Sequence, residues 1–193
     1  MKVNIKEIAG NWDLGYVMDK HVVKSVYLGE DEYGHPRFDT ERTEVGESVF
    51  QLKYRCDWDQ VEPLAQCLYE NAVPLFEDIH FIIPMAASNP RDRQPVTEVA
   101  NELAKKMKLT SLNELLFKEQ NGQSLKNLST AEEKKKAVKD SFSTKDQIKG
   151  DGSYNILLID DLFHTGTSME AACEVLRKYK KINKIYVAAL TWR

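Results

Sequence analysis

Cysteine is scarce in this sequence, and long apolar runs are missing from it. Three cysteines, Cys56, Cys67 and Cys173, are spread over 193 residues, and no Cys-x-x-Cys pair occurs. Such spacing argues against a zinc site and against a disulfide framework. The longest apolar runs fall far short of the roughly 18 residues of a membrane helix. The N-terminal segment MKVNIKEIAG lacks the apolar stretch of a secretory signal. We therefore expect a cytoplasmic protein with reduced thiols and no membrane span.

An excess of charge of one sign is also lacking. Lysine and arginine together number 27 against 30 acidic residues, which gives a formal net charge of -3. This balance gives no global electrostatic support for nucleic-acid binding. Apolar residues make up 42% of the chain, enough for a real core. The totals therefore fit one domain with room for a small appendage.

The N-terminal part of the chain differs in pattern from the rest. Residues Leu14–Leu28 alternate loosely between apolar and polar, and Asp19-Lys20 is a candidate turn, which predicts a β-hairpin. Residues Glu30–Glu47 are acidic and contain glycine and proline, which is typical of a solvated loop. We therefore predict that residues 1–48 form an N-terminal appendage.

Residues 49–193 alternate between strand patterns and amphipathic helix patterns. Such alternation predicts an α/β fold, a largely parallel sheet flanked by helices. The predicted helices are one capped by Asp59, one opening at Pro95 and one capped by Ser168. The predicted strands are Val49–Arg55, Ile79–Pro84, Asn113–Phe117, Ile156–Ile159 and Ile185–Leu190.

A lysine-rich segment, residues 118–149, interrupts this alternation. It carries eight lysines and five acidic residues, with few residues suited to a core. Ser129 followed by Glu132 and Glu133 predicts a short capped helix within it. We expect a peripheral, mobile segment until something orders it.

The stretch NILLIDDLFHTGTS, Asn155–Ser168, carries the clearest chemistry. Its apolar residues predict a buried strand that delivers Asp160 and Asp161 to the carboxyl edge of the sheet, where ligands bind in such folds. The turn Thr165–Ser168 then enters a helix, whose first N–H groups and partial positive charge favour a phosphate. Two carboxylates suit hydroxyl donors or a metal ion. A ribose 5-phosphate satisfies both ends of the stretch.

This stretch resembles the signature of type I phosphoribosyltransferases, an apolar strand, an Asp-Asp pair and a Thr-Gly-x-Thr/Ser turn. By that resemblance, Asp160 and Asp161 hold the 2′ and 3′ hydroxyls of the ribose. The 5′-phosphate is cradled by the turn residues His164, Thr165, Gly166, Thr167 and Ser168. Most members have threonine or alanine in place of His164, a mild departure because backbone amides hold much of the phosphate. Receiver domains, whose acidic pair binds magnesium, are the alternative, and the Thr-Gly-x-Ser continuation argues against them.

Weaker similarities point to the ComF-like branch of that family. Leu52-Lys53-Tyr54-Arg55 looks like its LKY-R stretch, and Ile83-Pro84 followed by an arginine-containing loop is loosely similar to its second block. Two features depart from the branch. The four-cysteine zinc module is missing, and Arg91–Pro95 replaces the run RGFNQ. The resemblance therefore covers roughly residues 49–193 and leaves residues 1–48 as a divergent part, a candidate hood over the ligand.

The resemblance implies an enzyme that acts at ribose C1 of phosphoribosyl pyrophosphate or a nucleotide. Arg91 and Arg93, in the loop after the first core strand, are the candidates for binding pyrophosphate, because arginine forks onto phosphate oxygens. Trp192, just past the last predicted strand, is the candidate for stacking on a base. Residues 118–149 are the candidate lid that excludes water.

The resemblance also implies a cofactor and partners. Mg²⁺ is expected to be held through the ligand, beside Asp160 and Asp161. A homodimer and a DNA-processing partner protein are further expectations. The alternative is a non-catalytic sensor or regulator of the same fold, or a nucleotide-depleting effector, that works with such a partner. Direct binding of single-stranded DNA through the lysine-rich segment is disfavoured by the net charge of -3 and by the interleaved acidic residues.

Overall fold

A six-stranded sheet lies at the centre of the computed structural model, which describes residues 1–89, 91–119 and 141–193. The first strand is antiparallel to its neighbour, and the other pairs are parallel. The predicted α/β fold with a largely parallel sheet is therefore confirmed. In spatial order the strands are β1 (Lys6–Glu7), β2 (Leu14–Lys20), β10 (Ile182–Trp192), β9 (Tyr154–Phe163), β5 (Phe81–Pro84) and β6 (Thr110–Ser111).

Helices cover both faces of this sheet. Alternate residues of β9 explain why, since Leu157 and Ile159 pack against three helices while Ile156 and Leu158 pack against a fourth. All four side chains are fully buried, as expected for a central strand that is apolar throughout. The three helices on one face are α1 (Glu44–Arg55), α2 (Val61–Asn71) and α3 (Pro95–Met107), and the helix on the other is α4 (Thr167–Lys178).

Two small antiparallel sheets flank the core. Strands β3 (Lys24–Glu30) and β4 (Pro36–Glu41) form an exposed hairpin, and β7 (Leu116–Lys118) pairs with β8 (Phe142–Thr144). The Asp31 carboxylate closes the hairpin turn by accepting hydrogen bonds from the N–H groups of Tyr33 and His35, each at 2.9 Å. At the base of the hairpin, the Val23 N–H donates to the Glu41 carbonyl at 2.9 Å.

The predicted hairpin with its turn at Asp19-Lys20 is wrong. Strand β2 lies in the central sheet, parallel to β10, and the hairpin is formed instead by β3 and β4. The predicted solvated stretch over Glu30–Glu47 is confirmed in part. Strand β4 is largely exposed, but it and the first turn of α1 give this stretch regular structure in place of a loop. The partner of β2 comes from the far end of the chain, so local alternation could not identify it.

The predicted strand Val49–Arg55 is also wrong, because these residues belong to α1. The Thr43 hydroxyl accepts a hydrogen bond from the Gly46 N–H at 3.0 Å, and Val45, Val49 and Leu52 are buried at helical spacing. A Cβ on Gly46 would lie 2.2 Å from the His21 carbonyl oxygen, so glycine lets this helix approach the end of β2 closely. The predicted boundary at residue 48 falls inside α1, and a hood over a ligand stays a prediction.

Several other predicted elements are confirmed, with shifted ends. The helix that opens at Pro95 and the strands around Ile79–Pro84, Ile156–Ile159 and Ile185–Leu190 are present, and β7 overlaps the predicted Asn113–Phe117 strand.

Two predicted helix caps are wrong. The carboxylate of Asp57, rather than that of Asp59, caps the short 3-10 turn before α2, and α4 begins at Thr167, with Gly166 rather than Ser168 as its N-cap. Most of the candidate lid, including Ser129, lies outside the described residues. Within the described part of the chain, no helix combines the length and the apolar character needed to cross a membrane.

Candidate functional site

Strand β9 carries Asp160 and Asp161 past the end of its neighbour. The pairing of β5 with β9 stops at Pro84 opposite Ile159, so the next residue of β9 lies beyond the end of β5. Successive side chains of a strand point to opposite faces. The Asp161 carboxylate accordingly reaches α1, on the same face as Leu157 and Ile159. The Asp160 side chain lies on the opposite face of the strand. The Asp161 N–H donates to the Asp160 carboxylate at 2.8 Å.

Lys53 of α1 forms an ion pair with Asp161. Its Nζ lies 2.5 Å from Asp161 Oδ2, and the Asp161 side chain is only 14% exposed. Burial lowers the pKa of Lys53, but the Asp161 carboxylate outweighs it and the net shift is upward. Burial and the charge of Asp161 raise the pKa of Asp160. Lys53 therefore pairs directly with Asp161, and its positive charge also acts on Asp160.

Lys118, at the end of β7, provides a second cation near the carboxylates. Its Nζ donates to Ser88 Oγ at 2.7 Å and lies 4.7 Å from the centre of the Phe142 ring. Burial lowers the pKa of Lys118, and the charge of Asp160 partly opposes that shift. The sequence showed only that this lysine begins a lysine-rich segment, and nothing local distinguished it from the other seven.

The residues after β9 turn sharply into α4. Gly166 is the N-cap of α4 and has a φ of 79°, a conformation that favours glycine. The Glu170 N–H donates to its carbonyl at 2.8 Å. The hydroxyls of Thr165 and Thr167 lie 3.1 Å apart. Because the first N–H groups of a helix have no partner within the helix, this turn can bind an anion.

A cavity of about 280 Å³ brings many of these groups together, and we call it the carboxylate cavity. Of the predicted site residues, it includes Asp160, Asp161, Ser168 and Arg91, whereas the other residues of the Thr-Gly turn do not line it. The remaining residues that line it are Lys53, Met85, Ala86, Ala87, Ser88, Asn89, Gln94, Pro95, Val96, Thr97, Lys118 and Leu162.

The two candidate pyrophosphate arginines differ in position. Arg91 lines the carboxylate cavity, and its Nη1 donates to the Lys53 carbonyl at 2.9 Å. Arg93 does not line the cavity. It pairs with Glu98 at 2.9 Å, and its guanidinium lies 4.1 Å from the centre of the Trp58 ring. The geometry therefore favours Arg91 as the residue available to a ligand.

Trp192, the candidate for base stacking, ends β10 on the α4 side of the sheet. The ammonium groups of Lys6 and Lys20 lie 4.9 Å and 5.2 Å from its ring. Its Nε1 is buried and has no hydrogen-bond partner among the described residues. The tryptophan does not line the carboxylate cavity, so its stacking role stays a prediction.

Solved structures with a similar fold include phosphoribosyltransferases. No protein-family model matches the sequence, and no curated protein matches it significantly. An adenine phosphoribosyl transferase from Trypanosoma brucei in complex with AMP, pyrophosphate and ribose-5-phosphate superposes with a TM-score of 0.50 at 12% identity, over 100% of this chain and 76% of that chain.

Two further structures are similar. The adenine phosphoribosyltransferase from Leishmania tarentolae has a TM-score of 0.48 at 10% identity, over 98% of this chain and 95% of that chain. The UMP synthase of Leishmania donovani has a TM-score of 0.44 at 11% identity, over 88% of this chain but only 29% of that chain, so this chain spans less than a third of it. The match at a TM-score of 0.50 shows that the chain has the α/β fold of phosphoribosyltransferases.

Proposed function

We propose that this chain is a phosphoribosyltransferase that binds phosphoribosyl pyrophosphate or a nucleotide in the carboxylate cavity. The observation that carries the proposal is the meeting, in one cavity, of the paired carboxylates of β9, Ser168 in the first turn of α4 and the cations Lys53, Arg91 and Lys118. A sugar diol needs acceptors, and phosphates need N–H groups and cations. Phosphoribosyl pyrophosphate carries both a diol and phosphates.

In this proposal, each group has a separate role. Asp160 and Asp161 accept hydrogen bonds from the ribose hydroxyls, and the turn from His164 to Ser168 holds the 5′-phosphate at the start of α4. Arg91 and Lys118 face the pyrophosphate. Lys53 holds the Asp161 carboxylate in position.

The transfer breaks the bond between ribose C1 and a pyrophosphate oxygen. The bonding electron pair leaves with the pyrophosphate, and a ring nitrogen of the acceptor forms the new bond to C1 and loses its proton to solvent. The same steps in reverse are pyrophosphorolysis. An enzyme lowers the activation barrier of this reaction mainly in two ways. Cations neutralise the charge of the leaving group, and other groups hold the ribose in place.

Magnesium fits this site as an ion shared with the ligand. No cluster of three or more histidine, cysteine, aspartate or glutamate side chains suited to a metal occurs in the described part of the chain. Mg²⁺ commonly takes one or two carboxylates together with phosphate oxygens and waters, and Asp160 and Asp161 can supply the carboxylates. When bound, the ion supplies positive charge for the pyrophosphate oxygens.

Calorimetry with phosphoribosyl pyrophosphate and MgCl₂ tests the proposal. We expect the variant with Asp160→Asn and Asp161→Asn to bind about 100-fold more weakly or worse, since it loses two charge-assisted hydrogen bonds. Asp151→Asn, an exposed carboxylate three residues before β9 begins, is the matched control and should bind as the wild type does. No binding by folded wild-type protein, or equal binding by the double variant, would contradict the proposal.

Turnover is a separate measurement. Pyrophosphate release in the presence of a panel of bases would support the enzyme. Binding without turnover on any base would favour the alternative, a sensor or nucleotide-depleting effector that depends on a partner protein. The homodimer and the DNA-processing partner stay predictions.

A further inference from the structure

A second cavity, of about 430 Å³, lies between the β3–β4 hairpin, α1 and the carboxyl ends of three neighbouring strands. We call it the hairpin cavity. The ends of β2, β9 and β10 meet there through backbone hydrogen bonds. The His21 N–H donates to the Trp192 carbonyl at 2.9 Å, and the Arg193 N–H donates to the Phe163 carbonyl at 3.1 Å. Its floor is therefore part of the rigid sheet, whereas one wall is the hairpin.

The hairpin cavity adjoins the carboxylate cavity. Leu162, the residue after Asp161, lines both. The Thr191 hydroxyl donates to the Asp161 carbonyl at 2.7 Å and lies 3.2 Å from Nδ1 of His21, which also lines the hairpin cavity. A ribose held by the carboxylates would therefore have the hairpin cavity on one side.

Aromatic side chains give this cavity flat apolar walls. Phe50 and Tyr54 are four residues apart on α1, and their ring centres lie 5.4 Å apart. Phe38 of β4 contributes a further ring that is 55% exposed. Arg42 covers one face of the Phe50 ring, so the exposed rings of Tyr54 and Phe38 are those on which a planar ligand can stack.

Arg42 supplies hydrogen-bond donors inside the cavity. Its guanidinium lies 3.8 Å from the centre of the Phe50 ring, and its Nη1 lies 3.3 Å from a Glu47 carboxylate oxygen. Its Nε–H is buried and has no hydrogen-bond partner among the described residues. A guanidinium can donate but cannot accept hydrogen bonds, so a ligand edge that faces Arg42 is favoured when it carries an acceptor.

The charged side chains that line the hairpin cavity are positive. The charged residues among those that line it are Arg42 and Arg193, and none of the described lining residues is acidic. Burial lowers the pKa of His21, and the charges of Arg42 and Arg193 lower it further, so its ring is neutral near pH 7. A ligand edge that carries oxygen atoms suits these surroundings better than an edge that carries an amino group.

We infer that the hairpin cavity binds the planar ring that is joined to or removed from ribose C1, and that Arg42 selects rings with oxo or carboxylate oxygens over rings with an amino group at that edge. This inference rests on the proposed function, because the ribose must lie on the carboxylates. It adds a class of acceptor, an oxo-substituted heterocycle, and assigns a specificity-determining residue.

Matched nucleotide pairs test the inference by calorimetry. UMP and CMP differ by an oxygen against an amino group, and so do IMP and AMP. We expect the oxo member of at least one pair to bind about tenfold more tightly, because an amino group cannot accept a hydrogen bond from the Arg42 guanidinium. The ratio within each pair cancels the contribution of the shared ribose and phosphate.

Three variants then assign the preference to its residue. Arg42→Met should reduce the ratio to below about threefold. Arg42→Lys keeps the positive charge near Glu47 and Phe50 but loses the guanidinium, and should also reduce the ratio. If circular dichroism shows that Arg42→Met does not fold, Arg42→Lys takes its place in the test. Arg37→Met lies on β4, is exposed and does not line the cavity, so the ratio should stay as in the wild type.

The outcomes separate the two proposals. If phosphoribosyl pyrophosphate and ribose 5-phosphate fail to bind, the proposed function fails and the inference fails with it. If both bind but neither pair shows the oxo preference, or if folded Arg42 variants keep it, the inference alone is overturned.

Discussion

Strand β9 and the β3–β4 hairpin support the two cavities in opposite ways. The side chains from Ile156 to Ile159 are fully buried, and β9 has a hydrogen-bonded neighbour on each side. In the hairpin, Val26, Tyr27, Leu28 and Phe38 are 40% to 59% exposed. The strand therefore fixes the carboxylates through the core of the whole domain. The hairpin presents its side chains from two exposed strands outside the core. We therefore expect substitutions there to have little effect on the stability of the domain.

The largest expected effect is on stability, and it contrasts one leucine from each region. Leu157→Ala removes a fully buried side chain from β9 and should lower the free energy of unfolding by about 2–5 kcal/mol. Leu28→Ala, where the side chain is 59% exposed, should change it by less than about 0.5 kcal/mol. Equilibrium unfolding in urea measures both values, and similar losses for the two variants would refute the contrast.

A smaller effect concerns the pH dependence of stability. Because burial and Asp161 raise the pKa of Asp160, the folded protein holds a proton there more tightly than the unfolded chain does. The stability linked to Asp160 is therefore present at pH values below about 4 and is lost as the pH rises through the raised pKa. Over this range the free energy of unfolding of the wild type should fall by an amount on the order of 1–2 kcal/mol that is linked to Asp160, and Asp160→Asn should remove this fall.

Unfolding of the ligand-free protein at several pH values measures this fall. Asp39→Asn, on the exposed hairpin, is the matched control for the loss of one carboxylate. A fall that persists in Asp160→Asn would show that the burial of this carboxylate does not produce it.

The smallest effect distinguishes the two loop arginines. Arg91→Met should weaken binding of phosphoribosyl pyrophosphate by about 5–10-fold, since one charged hydrogen bond to the ligand is lost. Arg93→Met should change it by less than about twofold, because Arg93 pairs with Glu98 and lies over Trp58. Calorimetry on both variants decides, and an equal or reversed order would show that the loop rearranges on binding.

Elements of the fold and the site could be predicted from the sequence where the residues that specify them are adjacent. The apolar run, the acidic pair and the Thr-Gly turn follow one another between Asn155 and Ser168, so the strand, its end and the following helix could be predicted together. The fold class followed from the same alternation of elements. The start of α1 has its own local signals, Thr43 and the spacing of Val45, Val49 and Leu52, which the strand predicted over Val49–Arg55 leaves out.

The rest depends on packing between distant segments. Strand β2 pairs with β10, and no local pattern specifies that partner. Lys53, Arg91 and Lys118 come from a helix, a loop and a strand end, and only the folded chain places them around one cavity. Arg91 and Arg93 are close in sequence and similar in chemistry, and their different partners separate them.

The hydrogen bond between Val23 and Glu41 has a consequence for how this protein could be diversified or redesigned. It brings the entrance and the exit of the β3–β4 hairpin together, so the intervening residues form a cassette with neighbouring ends. We expect that a hairpin of another length or composition can be grafted between these two points without moving β2 or α1. Libraries confined to this cassette could alter the wall of the hairpin cavity while leaving the acidic pair of β9 untouched.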